Sequence, residues 1–150
     1  MAVIVVHPDS SHPVYVPLCV CSLSECLRLN SSDNQGVRYI LSTWLLEQDD
    51  LAAVQSVLDQ FPDDVGAHVL WNRVLLLFKR GERDAAAAAA RAAEKRNRLV
   101  RGYLLGVVQA SPHGPAHIVA SGDSEAAEYA REAMQAWRNS PGAIEWLATV

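Results

Sequence analysis

Five side chains with metal-ligating chemistry crowd the start of the chain: His7, His12, Cys19, Cys21 and Cys26. Thiolates and imidazoles are the donors that zinc prefers, and structural zinc is held by two closely spaced ligand pairs, often C-x2-4-C. Here the order is H-x4-H followed by C-x-C, which matches neither spacing. The cysteines are therefore read as reduced thiols and the histidines as solvated, and a small metal-binding protein organised by this cluster is the alternative. An odd number of cysteines packed into so short a stretch is not the layout of a secreted disulfide framework, and a reducing cytoplasm fits it better.

Other candidate constellations have simpler explanations. His113 and His117 stand at i, i+4, but Pro115 lies between them and argues against the helix that would bring them to one face, so the segment reads as a polar loop. Asp49-Asp50 and Asp63-Asp64 are paired carboxylates of the kind acid–base catalysis uses. Both pairs precede apolar-periodic segments, where carboxylates cap helix N-termini and meet the positive end of the macrodipole. Neither a G-x-S-x-G elbow nor a G-x-x-x-x-G-K-[ST] loop occurs. The expectation is a protein without catalytic residues, metal or cofactor.

The elements that carry these residues are helical. Val37, Ile40, Leu41, Trp44 and Leu45 recur at the spacing that lines one face of a 3.6-residue period, preceded by a capping-box pattern in Ser32-Asp33-Asn34-Gln35. Gln48-Asp49-Asp50 breaks the helix, and the period resumes from Leu51 to Phe61 before Pro62. Two helices joined by so short a break must run antiparallel. The pattern repeats: Asp63-Asp64 opens a helix to Lys79, Arg80-Gly81-Glu82 turns the chain, and a second helix runs from Arg83 to Arg96. The first of these is apolar around most of its circumference, with His68, Asn72 and Lys79 as a discontinuous polar stripe. The second carries the alanine run Ala85 to Ala90, small enough for close helix approach. Leu99 to Leu105 reads as a short helix closed by Gly106, and residues 110–122 as a loop. Asp123-Ser124 caps a helix with Ala126, Ala127, Ala130, Ala133, Met134 and Trp137 on its buried face, and Ser140-Pro141 precedes a last helix from Gly142 to Leu147. Trp44, Trp71, Trp137 and Trp146 fall on apolar faces and read as core.

Residues 1–21 differ in character. Val3-Ile4-Val5-Val6 and Val14-Tyr15-Val16 are β-branched or aromatic, and Pro8, Pro13 and Pro17 punctuate them, which predicts extended segments or a loose hairpin. Ser22-Leu23-Ser24-Glu25 then matches a capping box for a short helix to Leu29. The domain division expected is an irregular segment over 1–21 and a helical-repeat domain over 22–150. With thirteen Lys and Arg against seventeen Asp and Glu, a net charge of −4 and no basic block, the chain is not expected to bind nucleic acid. Its longest apolar stretch, Val69 to Phe78, falls far below the roughly 20 residues that cross a bilayer, so no membrane partner is expected.

Gly81, Ala86 and Ala93 fall at the spacing of the turn glycine and two small positions of a tetratricopeptide repeat, with Arg98 where the closing proline usually stands. Longer segments carry a further likeness: Leu27-Arg28-Leu29-Asn30, Asp33-Asn34-Gln35-Gly36-Val37-Arg38-Tyr39, Gly102-Tyr103-Leu104-Leu105-Gly106, Gly122-Asp123-Ser124-Glu125-Ala126, and Gly142-Ala143 with Trp146-Leu147. Together these resemble the tetratricopeptide-type region at the C-terminal end of the suppressor of tumorigenicity seven family and its bacterial relatives. Asn97-Arg98-Leu99 and Ser31 depart from that pattern. The resemblance implies an all-α superhelix of antiparallel hairpins, without catalysis, that serves as a protein-binding scaffold. Asn34, Arg38, Asn72 and Arg73, on the first helices of their pairs, are then the candidates to line a groove for a protein or peptide partner. Leu27 to Asn30 resembles the end of a repeat whose beginning is missing, so the outer face there is expected to be covered by residues 1–21, by a second copy of the chain, or by another partner.

Overall fold

The computed structural model describes residues 15–30, 32–111 and 113–150, with residues 15–20 described by their backbone alone. All regular structure among them is helical: α1 (Tyr15–Leu29), α2 (Val37–Glu47), α3 (Leu51–Asp59), α4 (Ala67–Lys79), α5 (Arg83–Arg96), α6 (Leu99–Leu104), α7 (Asp123–Arg138) and α8 (Ala143–Leu147). The apolar periodicity fixes α2 to α5 close to their expected bounds. Where the N-terminal segment was expected to be extended, the chain is already helical from Tyr15, and α1 crosses the boundary expected at residues 21 and 22. Ser22 to Glu25 therefore lie inside a helix and not at its start, and Glu25 pairs with Arg28 one turn later at 2.6 Å. Residues 1–14, with His7 and His12, lie outside the described residues.

The helix starts show how capping is divided. Asp33 accepts from the amides of Val37 at 2.7 Å and Arg38 at 3.0 Å, so its carboxylate, in place of the Ser32 hydroxyl, closes the start of α2. Gly36 sits between them at φ 70°, a left-handed geometry open to a residue without Cβ. Asp50 caps α3 through Ala53 N at 3.1 Å, as its position predicts. Asp64 does not cap α4 directly. It accepts from Gly66 N at 2.7 Å and turns the chain into a helix that begins at Ala67. Ser140 likewise turns back, donating to Ala136 O at 2.7 Å, and α8 opens after Gly142 at φ 77°.

Three helices meet at the centre. The hairpins α2–α3 and α4–α5 pack side by side through α2 and α4, with α3 also against α4, and α1 lies on α2 through Leu23 and Leu27. Ala86, Ala90 and Ala93 are the buried face of α5, and their small side chains let it lie closely on α4. After α6 and the loop that follows it, α7 returns to pack against both α2 and α4. Trp71 and Trp137, both fully buried, meet edge to face with ring centroids 6.4 Å apart, and Phe78 packs on Trp146 at 5.0 Å. Trp44 is half-buried, on the outer part of α2.

Candidate binding cleft

The polar stripe of α4 is the seam along which α7 docks. Asn72, with no exposed surface, donates to Ser42 Oγ at 2.9 Å and Thr43 Oγ1 at 3.0 Å on α2. It accepts from Tyr129 Oη at 3.1 Å, and that hydroxyl accepts from Trp137 Nε1 at 2.9 Å. Burial holds the Tyr129 hydroxyl far above the ordinary tyrosine range, so it stays a neutral donor. One turn up α4, His68 stands 2.7 Å from Glu132 and lies between the rings of Tyr39 and Tyr129, each 5.1 Å away. Burial alone would raise the Glu132 carboxyl; the bonds and charges of His68 and Arg131 outweigh it and hold it below its usual range. At the end of α4, Ala67 N donates to Glu125 at 3.2 Å.

Two of the groove candidates thus have other work. Asn72 is sealed between α2, α4 and α7 and presents nothing to a partner. Arg38 sits in an ionic knot, with Nε 2.6 Å from Asp64 and Nη1 2.7 Å from Asp33, whose carboxylate is 1 % exposed. Tyr39 Oη completes the knot, accepting from Arg38 at 2.7 Å and donating to Asp64 at 2.9 Å. Burial favours the protonated form of Asp64, but the Gly66 amide, Arg38 and Tyr39 together hold it below the usual carboxylate range. Arg73 reaches back to Leu58 O at 3.3 Å, and Asn34 is exposed in the turn before α2. α7 covers Asn72, whereas Arg38 turns toward the segment before α4 and Arg73 toward the end of α3.

A cleft of about 570 Å³ lies open beside that seam, between the start of α2, the turn into α4, α7 and the loop before it. Ile40, Val65, Ile118 and Ala120 supply apolar lining, and Val65 and Ile118 are each about half exposed. Tyr39 and His68 bring in their rings, and Asp64, Glu125, Glu128 and Glu132 bring carboxylates. Glu125 fixes the walls: besides Ala67 N, its carboxylate accepts from Asn97 Nδ2 at 2.9 Å and Ser121 N at 2.8 Å, tying α4, the end of α5 and the loop to α7. Glu128 and Glu132 share Arg131, at 2.7 and 3.1 Å. Among the described residues, Arg96 is the one arginine or lysine lining the cleft, and it forms no ion pair with them.

No family model, curated protein or solved structure matches this chain. The site therefore rests on its own geometry. Among the described residues no group of three or more His, Cys, Asp and Glu side chains converges to hold a metal ion. Cys21 and Cys26 are exposed free thiols on α1, Cys19 lies on the same helix, and His7 and His12 are outside the described residues. No described helix is long and apolar enough to cross a membrane. Of the cleft residues, His68 was visible in the sequence as part of the polar stripe. Glu125, Glu128 and Glu132 carry no signal there as cleft residues, since nothing in the local pattern says which helix will face them.

Proposed function

We propose that this protein is a non-enzymatic, tetratricopeptide-like scaffold that binds a short segment of a partner protein in the cleft between the start of α2, the turn into α4, and α7. The observation that carries this reading is the cleft itself: partly apolar, open on one side, and held by hydrogen bonds that tie several chain segments together. Stacked hairpins α2–α3 and α4–α5, with Gly81 at φ 80° in the turn and Ala86 and Ala93 buried behind it, support the tetratricopeptide-like element of the proposal. So does the resemblance of Leu27 to Leu147 to the C-terminal region of the suppressor of tumorigenicity seven family. Preformed walls spare part of the ordering entropy that binding costs. Exposed thiols at Cys21 and Cys26 suit a reducing compartment, and a cytoplasmic setting is part of the proposal.

The test is selection of peptides from a displayed random library on the folded protein, followed by titration of the selected peptides against the Val65→Glu, Ile118→Glu double variant. Both positions are exposed enough to accept a charge without unfolding, which thermal melting of the variant verifies. The expected result is binding to the natural sequence that weakens at least about tenfold in the variant, as loss of about 1.4 kcal/mol of apolar contact requires. Peptides that bind both proteins equally would place the interaction elsewhere on the molecule.

A further inference from the structure

The chemistry of the cleft says which segment it would take, on the reading that the cleft binds a partner at all. Four carboxylates line it, against the single guanidinium of Arg96. None of the four has an arginine or lysine to itself. Glu128 and Glu132 divide Arg131 between them, and Glu132 also meets His68. Glu125 is held by three N–H groups, from Ala67, Asn97 and Ser121, and none of those donors carries charge. Asp64 shares the single charge of Arg38 with Asp33. The carboxylates stand beside apolar lining from Ile40, Val65, Ile118 and Ala120. A low-dielectric lining strengthens a charge–charge attraction that open water would screen.

We propose that the occupant of the cleft is a peptide segment carrying an arginine or lysine beside an aliphatic residue, with the cation seated toward Glu128 and Glu125 and the aliphatic side chain on Val65 and Ile118. The long stems of arginine and lysine suit such a site, because they cover apolar wall while the charged head reaches the carboxylates. An acidic segment would meet like charge, since Arg38, Arg131 and Arg96 are fewer than the carboxylates of Asp33, Asp64, Glu125, Glu128 and Glu132.

The experiment uses synthetic peptides, acetylated and amidated so that their termini carry no charge, with a central Arg, Gln or Glu flanked by leucine and serine. Their binding to the full chain is measured by calorimetry at low and high salt. The Arg peptide should bind at least about fivefold more tightly than the Gln peptide in dilute buffer, and that margin should shrink at about 0.5 M salt. Glu128→Gln should remove most of the margin, Arg96→Gln should widen it, and Arg91→Gln, on the exposed side of α5, should leave it alone. Thermal melts establish that each variant is folded. If Gln or Glu peptides bind as well as Arg and still lose affinity in Val65→Glu, Ile118→Glu, the cleft is a binding site and the basic-segment proposal is wrong. If none of the peptides binds, the basic-segment proposal fails too, while peptides selected without any charge bias can still establish the cleft.

Discussion

Replacing Asn72 by alanine separates a groove residue from a structural one. A side chain that reads a partner can be truncated with little effect on folding, whereas Asn72 bridges α2, α4 and α7 with no exposed surface. In Asn72→Ala the Tyr129 hydroxyl loses its acceptor inside the core, at a cost of about 1 to 3 kcal/mol. Ser42 and Thr43 still donate to Tyr39 O and lose only an incoming bond, which is the smaller loss. The vacated volume adds roughly 1 kcal/mol. The total, about 2 to 4 kcal/mol, is a large part of the stability of an ordinary domain. With a slope of roughly 2 kcal/mol per molar urea, the unfolding midpoint falls by about 1 to 2 M with the slope unchanged. The assay is urea denaturation followed by far-ultraviolet circular dichroism, which does not depend on Trp137, itself part of the network. Tyr129→Phe should cost a similar amount, because it orphans the Trp137 N–H and the Asn72 carbonyl. The double variant should cost about 1 to 2 kcal/mol less than the sum, since each single change already breaks the shared bond. A midpoint shift under about 0.3 M for Asn72→Ala, or strictly additive costs, would refute the account of a sealed polar junction.

Stability should also respond to pH at both ends. Glu132 and Asp64 have lowered native pKa values, so their contribution is present above the ordinary carboxylate range of about 4 and is lost as pH falls through the lowered values, which acid titration of the urea midpoint measures. Tyr129 has a raised value, so its contribution is complete below about 10 and declines as pH rises from there, by up to about 1.4 kcal/mol per pH unit. Tyr129→Phe should flatten that alkaline decline, and an unchanged slope would mean the hydroxyl is not held neutral. Gly36→Ala should destabilise by about 2 kcal/mol and Gly81→Ala by about 1. Both have positive φ, but a Cβ on Gly36 would also stand 3.2 Å from the Tyr39 ring, whereas at Gly81 it meets open space. Thermal melts giving the opposite order would show that the Tyr39 contact is not limiting.

The sequence by itself determined the helices from α2 to α5, because each buries an apolar stripe whose period is written in consecutive residues and whose ends are marked by Asp50, Pro62, Gly81 and Asn97. It misjudged α1, where β-branched residues and Pro17 suggest extended chain; packing of Leu23 and Leu27 on α2 outweighs weak local propensity. It also assigned Asn72 and Arg38 to an open groove, since a polar residue on a helix looks the same in sequence whether it meets water or a distant partner. For Asn72 this was decided by the return of α7 after the loop that follows α6, and for Arg38 by the segment before α4, which brings in Asp64. Once α7 lies on α2 and α4, Asn72 finds Tyr129, His68 finds Glu132 and Ala67 finds Glu125, across more than fifty residues of chain in each case. Local periodicity fixes the face of one helix at a time, but these pairings depend on which faces come together, and that is a property of the packed molecule alone.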